Sequence, residues 1–180
     1  MFAVSKLKLS VLLLACSLPA QVGRANPDDF TVRAVSGTNV FRLSQARGKF
    51  VALHFLLKTE CPFCLRHTHS YAQKSAGDSR VVHLFLKPDS ETEIKAWAAK
   101  LDGNAAGLTI YRDPDAALAK AYSIPDGYKF HGQIVHYPAL VLLDANGKEI
   151  FRYVGKSNGD RFPYEKFAAK LKELTPPSPR

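Results

Sequence analysis

Two cysteines separated by two residues are the part of this chain best suited to chemistry. They lie in the segment Cys61-Pro62-Phe63-Cys64, and the remaining cysteine, Cys16, falls in the first twenty-five residues. Two thiols at this spacing can cycle between a dithiol and a disulfide, and a cysteine at a helix N-terminus is stabilised as a thiolate. Redox chemistry is therefore the leading prediction, although the same pattern also fits half of a zinc site or an inert structural disulfide.

A metal or haem role finds less support in the neighbouring residues. Leu65, not histidine, follows Cys64, which excludes the haem-attachment motif. Zinc would need two further ligands, and His67 and His69 lie two positions apart on a predicted helix, hence on different faces. We predict no cofactor other than the redox-active Cys61–Cys64 disulfide itself.

The N-terminus predicts export. Lys6 and Lys8 precede an apolar run over residues 9–18, which is too short to span a bilayer, and small residues follow at Ala20 and Ala25. We interpret residues 1–25 as a secretory signal, which places the mature chain in the periplasm or outside the cell. The alternative is a lipoprotein signal ending at Cys16, in which case lipid would hold the chain at a membrane.

Charge and length limit the remaining function classes. The formal charge is +9, and loss of Lys6, Lys8 and Arg24 with no acidic residue would lower it to +6. The basic residues are spread along the chain without a dense run interleaved with aromatics, so we expect no nucleic-acid binding. Residues 26–174 have the length of one domain, and the proline-rich end, residues 175–180, is predicted to be a disordered tail.

Strand and helix patterns alternate along this domain. An apolar run over residues 50–57 predicts a buried strand that leads directly to the cysteines, and a helix is predicted from Pro62 to about Ala76. The pattern predicts further strands over residues 30–35, 81–86, 139–143 and 149–154, and further helices over residues 90–101, 116–122 and 163–174. This order indicates an α/β fold with a central mixed β-sheet flanked by helices.

These features together resemble a known fold. The strand followed by a Cys-x-x-Cys helix, the Tyr137-Pro138 step into an apolar strand, and the hairpin at residues 144–147 are similar to the thioredoxin-like fold. The stretches at residues 48–55 and 113–124 resemble the redoxin group, which comprises the alkyl hydroperoxide reductase/thiol-specific antioxidant (AhpC/TSA) family and exported thioredoxin-like thiol-disulfide reductases. The resemblance covers about residues 28–174 and implies a redoxin-type insertion between the Cys-x-x-Cys helix and the proline strand.

The resemblance implies a role for each cysteine. Cys61, stabilised at the helix start, would be the attacking nucleophile, and Cys64 would resolve the mixed disulfide. Lys58 and Arg66 should favour the thiolate, whereas Glu60 should oppose it. The implied partners are protein thiols or disulfides and an upstream redox partner, and the implied activity is that of a thiol-disulfide oxidoreductase.

Four further residues complete the predicted site. Pro138 matches the superfamily's cis-proline, which would leave the backbone of Tyr137 to pair with a substrate strand. Phe63, between the cysteines, would set local geometry and contact substrate. His54 is the candidate proton acceptor, and its alternative is a hydrogen-bonded core histidine.

Peroxidase activity is the main alternative. Peroxiredoxins have Thr or Ser three residues before the reactive cysteine, where this chain has Lys58 before Cys61 and Cys61 before Cys64. Thr59 is one residue out of place. Arg152 could still supply a guanidinium, or could equally be a strand residue paired with an acid.

Copper handling is a further alternative. Copper metallochaperones of the same fold use two cysteines and a distant histidine, and His136 lies eight residues before Asp144 as their histidine does before its aspartate. Their cysteines are separated by three residues, however, and Cys61 and Cys64 are separated by two.

Overall fold

The computed structural model of the protein describes residues 26–58, 61–130 and 133–175. The predicted signal, residues 1–25, lies outside the described residues, as does the predicted tail beyond Thr175. Thr175 itself belongs to the fold, because its backbone N–H and its hydroxyl both donate to the carbonyl of Leu171 at the end of the last helix. No helix in the described ranges is both long and apolar enough to cross a membrane.

A mixed seven-stranded sheet organises the described chain. Seven strands form this sheet, and two more form a separate hairpin. In chain order the strands of the described residues are β1 (Thr31–Ala34), β2 (Val40–Arg42), β3 (Phe50–Phe55), β4 (Val81–Lys87), β5 (Ile110–Arg112), β6 (Asp126–Phe130), β7 (Gln133–His136), β8 (Ala139–Leu143) and β9 (Glu149–Val154). The order in the sheet is β2-β1-β5-β4-β3-β8-β9, and β6 pairs with β7 outside it. The mixed α/β fold expected from the sequence is confirmed.

Strand β3 lies inside the sheet and carries the chain to the cysteines. It pairs parallel to β4 and antiparallel to β8, and five of its six residues are buried. A strand covered on both faces has no polar side, which explains why the run in the sequence is apolar except at His54. Cys61 therefore follows the carboxyl end of a buried strand that is hydrogen-bonded to a neighbouring strand on each side.

Helices cover the two faces of the sheet. They are α1 (Pro62–Lys74), α2 (Glu91–Ala98), α3 (Ala117–Ala121) and α4 (Tyr164–Leu174). Ser90 and Glu93 form a capping box at the start of α2, and each satisfies a backbone N–H of the other. Two buried clusters result, one containing Tyr71 of α1, Trp97 of α2 and Phe167 of α4, and the other containing Leu118 and Tyr122 around α3.

The sequence patterns missed the shortest strands. β2 and β5 have three residues each, too few for an alternating pattern to stand out, and they owe their place to pairing with β1 and β4. The β6–β7 hairpin was also missed, and it forms part of the insertion that precedes Pro138.

Candidate redox site

Cys61 and Cys64 lie together at the start of α1. Cys61 is the N-cap residue, and its sulfur accepts a hydrogen bond from the backbone N–H of Cys64 at 3.2 Å. The sulfur of Cys64 accepts from the backbone N–H of Leu57 at 3.3 Å. Both cysteines are unbridged thiols, with Cys61 8% exposed and Cys64 fully buried. Cys61 is thus the one of the two that reaches the surface.

Arg161 contacts both sulfurs. Its Nη2 lies 3.4 Å from Sγ of Cys61 and 3.2 Å from Sγ of Cys64. Its Nη1 donates to the carbonyls of Asn158 and Asp160, which fixes the guanidinium on its loop between β9 and α4. A guanidinium beside a thiol favours the thiolate.

Sequence reasoning did not identify Arg161. It named Lys58 and Arg66 as the cations for the thiolate, but the Arg66 guanidinium lies over the Phe63 ring, 4.6 Å from its centroid. Glu60, expected to oppose the thiolate, lies outside the described residues. No local signal marks Arg161, because it lies 97 residues from Cys64 and reaches the sulfurs only through the tertiary fold.

The two cysteines titrate as a pair. Burial opposes a thiolate on Cys64, but the hydrogen bond with Cys61 and the charges of Arg161 and Lys87 outweigh it and lower the pKa of Cys64 to about 6. The hydrogen bond to Cys64, together with burial, raises the pKa of Cys61. These two pKa values belong to the coupled pair, which loses one proton readily and holds the second tightly. The assignment of Cys61 as the nucleophile stays a prediction, because the readily lost proton belongs to the pair and not to one sulfur.

A buried ion pair lies near Cys64. Lys87 at the end of β4 and Asp89 have fully buried side chains, with Nζ 3.0 Å from the Oδ2 of Asp89. Lys87 also donates to the carbonyl of Leu57 at 2.7 Å, the residue whose N–H contacts Cys64. Lys87 therefore fixes the chain that carries this N–H, and it adds positive charge near Cys64. Sequence reasoning missed this pair as well.

Pro138 lies beside the site, but its geometry corrects one expectation. It lines a small cavity together with His67 and Arg161. The described residues contain no cis peptide bond, so the Tyr137–Pro138 bond is trans and the predicted cis-proline is wrong for this structure. The trans form is the lower-energy form of an X–Pro bond, and backbone hydrogen bonds from Tyr137 to Pro125 and from Gly155 to Pro138 hold the chain on both sides.

Tyr137 does not offer an unpaired backbone to a substrate. Its N–H donates to the carbonyl of Pro125, and its carbonyl is 2.7 Å from Nδ1 of His136. The expectation that this backbone is available for strand pairing is therefore wrong in this conformation. The hairpin that ends at His136 brings these partners to Tyr137, and the sequence patterns had not predicted that hairpin.

Phe63 is one of the two large apolar residues exposed in the described chain, at 38%. Its ring packs against Gly159, where a Cβ atom would lie 3.1 Å from the ring. The predicted contact of Phe63 with a substrate stays a prediction, and its exposed ring next to Cys61 is accessible for such a contact.

His54 lies in a chain of three histidines. Its Nδ1 is 2.9 Å from Nε2 of His67, and its Nε2 is 2.9 Å from Nδ1 of His83. Burial lowers the pKa of His54 well below its ordinary value, and the two other histidines lower it further. The structure thus places the candidate proton acceptor in the core, hydrogen-bonded to histidines.

His136 is buried, and its Nδ1 lies 2.7 Å from the carbonyl oxygen of Tyr137. Burial lowers its pKa, and the Tyr137 carbonyl and Asp113 partly oppose that shift. Within the described ranges, no three His, Cys, Asp or Glu side chains are grouped so that they could hold a metal ion. His136 therefore gives the copper alternative no additional support.

Arg152, the guanidinium considered for peroxide chemistry, is otherwise engaged. Its Nε and Nη2 donate to the carboxylate of Glu149, and its Nη1 donates to the carbonyl of Tyr122. It is thus a strand residue paired with an acid. Thr59 lies outside the described residues.

Comparisons with solved structures identify thioredoxin-like and peroxiredoxin-like proteins. An exposed lipoprotein thioredoxin from Streptococcus pneumoniae is 26% identical, with a TM-score of 0.61 over 81% of this chain and 99% of that chain. A secreted disulfide oxidoreductase from Mycobacterium tuberculosis is 20% identical, with a TM-score of 0.59 over 81% and 96%. A peroxiredoxin-like protein from Aquifex aeolicus is 16% identical, with a TM-score of 0.68 over 82% and 84%.

The family comparison covers most of the chain. A search among curated proteins finds no match. The model of the AhpC/TSA family matches residues 22–150, a stretch that contains β3, both cysteines, the insertion and the proline strand. Because this match exceeds half of the sequence, the chain belongs to the AhpC/TSA family of thioredoxin-like redoxins.

Proposed function

We propose that this protein is an exported thiol-disulfide oxidoreductase that exchanges disulfides with protein substrates through Cys61 and Cys64. The observation that carries the proposal is the contact of one guanidinium, that of Arg161, with both sulfurs at the start of α1. The pair readily forms a thiolate, and only Cys61 reaches the surface. These are the requirements for a nucleophile followed by a resolving thiol.

The exchange proceeds in two steps. The thiolate moves to Cys61, which attacks a substrate disulfide; one substrate sulfur leaves as a thiolate and a mixed disulfide forms. Cys64 then loses its proton and attacks Cys61, which closes the Cys61–Cys64 disulfide and releases the second substrate thiolate. The protein is oxidised by two electrons and the substrate is reduced by two; the reverse sequence oxidises a dithiol.

Export and protein partners are part of this proposal. The basic residues Lys6 and Lys8 before an apolar run support export. Secretion and surface exposure are also named for two of the similar proteins. The exposed Phe63 ring beside Cys61 supports recognition of a polypeptide substrate.

The test distinguishes the role of Cys61 from that of Cys64. Reduced mature protein is mixed with a small disulfide in a stopped-flow instrument, and the Cys61→Ser and Cys64→Ser variants are run in parallel. We expect Cys61→Ser to be inert and Cys64→Ser to accumulate a mixed disulfide that mass spectrometry detects. Accumulation of the mixed disulfide on Cys64 in the Cys61→Ser variant, at the wild-type rate, would reverse the assigned roles.

Peroxide reduction is the second candidate, because Arg161 supplies the guanidinium for which the sequence had suggested Arg152. Hydrogen peroxide replaces the disulfide in the same experiment. Oxidation no faster than that of an ordinary thiolate supports thiol-disulfide exchange as the main activity. Oxidation faster by about a thousandfold would indicate transition-state stabilisation by several hydrogen-bond donors, and hence a peroxidase.

A further inference from the structure

Three histidines form a continuous hydrogen-bonded chain from the redox site towards another surface. His67 on α1, His54 on β3 and His83 on β4 are joined by two contacts of 2.9 Å between ring nitrogens. His54 is fully buried and His67 nearly so. Two contacts of this length between ring nitrogens can form only if one imidazole donates and the next accepts.

The inner end of the chain adjoins the cysteines. His67 follows Cys64 by one helical turn, so the two share a face of α1, and both are buried. His67 also lines a cavity of about 10 Å³ with Arg161, whose guanidinium contacts the Cys64 sulfur. That volume is close to the smallest that admits one water molecule.

The outer end lies next to an open cleft. His83 lines an open cleft of about 420 Å³ with Asp78 and Asn104. Its Nε2, at the end of the chain, is itself buried and has no hydrogen-bond partner, so a water from the cleft has to reach this nitrogen before a proton can leave. The other titratable or charged groups facing the chain are the Tyr71 ring, which packs on all three imidazoles, and Arg161 near His67.

We propose that His67, His54 and His83 form a proton relay that carries the last proton of Cys64 to the solvent and returns it later in the cycle. The proposal rests on the function proposed above. Once Cys61 is in the mixed disulfide, the remaining proton lies on Cys64, whose side chain is fully buried. That proton needs a route out before Cys64 can attack.

Each imidazole of the relay accepts one proton and gives up another. The Cys64 thiol gives its proton to Nδ1 of His67, directly or through one water. His67 passes the proton on its Nε2 to Nδ1 of His54, and His54 passes the proton on its Nε2 to Nδ1 of His83. A water that enters from the cleft accepts the proton on Nε2 of His83 and carries it to the solvent. All three imidazoles end neutral, with the proton on Nδ1 instead of Nε2.

Turnover restores the starting state. When a donor dithiol reduces the Cys61–Cys64 disulfide, Cys64 leaves as a thiolate and needs a proton. The same chain delivers it in the opposite direction, which returns each proton to Nε2 without any ring rotation. Burial lowers the pKa values of His67 to about 3 and of His83 to about 4, which keeps the resting chain neutral and able to shift protons in both directions.

The experiment uses a nitrobenzoate disulfide, which releases one coloured thiolate at each of the two steps. The first phase reports attack by Cys61, and the second reports attack by Cys64. His83→Asn keeps a hydrogen-bonding atom near the Nδ1 position but cannot pass a proton on. We expect the second phase to slow about tenfold or more, because positioned proton transfer contributes at least this much, and the first phase to change by less than about twofold.

Two controls exclude a structural effect. His69→Asn changes a partly exposed histidine of α1 whose contact is with Asp102, and both phases should keep their rates. In His83→Ala, added imidazole should restore the second phase, whereas N-methylimidazole, which fills the same space but cannot both accept and donate, should not.

The outcomes are distinguishable. A second phase in His83→Asn within twofold of wild type overturns the relay, and a proton route through Asp89 and Lys87 would then be the next one to test. Equal rescue of His83→Ala by both imidazoles also overturns it, because packing alone would then explain the loss. Absence of the first phase in the wild-type protein would instead overturn the proposed function.

Discussion

Arg161 places one guanidinium nitrogen, Nη2, between the sulfurs of Cys61 and Cys64, at 3.4 Å and 3.2 Å. The arginine comes from the loop after β9, and the cysteines come from the start of α1. This contact puts a fixed positive charge where the helix N-terminus already favours a thiolate. The redox properties of the pair therefore depend on a loop remote from the motif in sequence.

The first prediction concerns the source of thiolate stabilisation. Arg161→Gln should raise the lower pKa of the cysteine pair by about one to three units, because an adjacent opposite charge is lost. Ultraviolet absorbance of the thiolate against pH measures this shift. Arg66→Gln is the matched control, since Arg66 lies over Phe63, and its titration should follow wild type. Equal shifts in both variants would show a general charge effect and refute a specific role for Arg161.

The second prediction concerns stability and pH. The pKa of Cys64 in the folded reduced protein is lowered to about 6, below its value in the unfolded chain. Its contribution to stability is therefore present above the unfolded pKa, roughly 8.5, and is lost as the pH falls through about 6. Urea unfolding of the reduced protein should show stability rising between these limits. The oxidised protein has no thiol to titrate and should lack this component; an identical rise in both forms would contradict the assignment.

The third prediction concerns the buried ion pair. Lys87→Met should destabilise the fold by about 3–5 kcal/mol, because it leaves the Asp89 carboxylate buried without its cation. Lys87→Met combined with Asp89→Leu should recover much of that loss in urea unfolding. Lys95→Met, in an exposed helix pair with Glu91, should cost less than about 1 kcal/mol. A double variant no more stable than Lys87→Met would show that the lysine's other contacts dominate.

The fourth prediction concerns the loop that holds Arg161. A Cβ at Gly155 would collide with the carbonyl oxygen of Asp160 and lie 2.9 Å from Cγ of Pro138. Gly155→Ala should therefore cost about 1–3 kcal/mol in urea unfolding, and displacement of the loop should raise the lower pKa of the pair.

Gly159→Ala is the comparison for this loop. The three atoms nearest its Cβ would all belong to the ring of Phe63, which is exposed enough to move, so the pKa of the cysteine pair should stay near that of wild type. An unchanged pKa in Gly155→Ala would show that the loop relaxes without moving Arg161.

The elements nearest the motif were predictable because their signals are local. The buried strand over residues 50–55 is apolar at every position except His54, and α1 starts where Pro62 fits a first helical turn. The apolar strand β8 and the strand β9 were predicted with the bounds that the structure has. In each case the residues that form the element also carry its pattern.

The sequence by itself determined the Cys-x-x-Cys pair at a helix start, the α/β class and the order of the long elements, because these depend on spacing and periodicity along the chain. Only the tertiary structure decided which charges reach the sulfurs: Arg161 and Lys87 do so from other elements, whereas the nearby Arg66 lies over Phe63. The same holds for His54, which becomes the centre of a histidine chain only when α1 and β4 pack against β3. Electrostatic and hydrogen-bonded contacts depend on distance in space, which the order of residues in the chain does not specify.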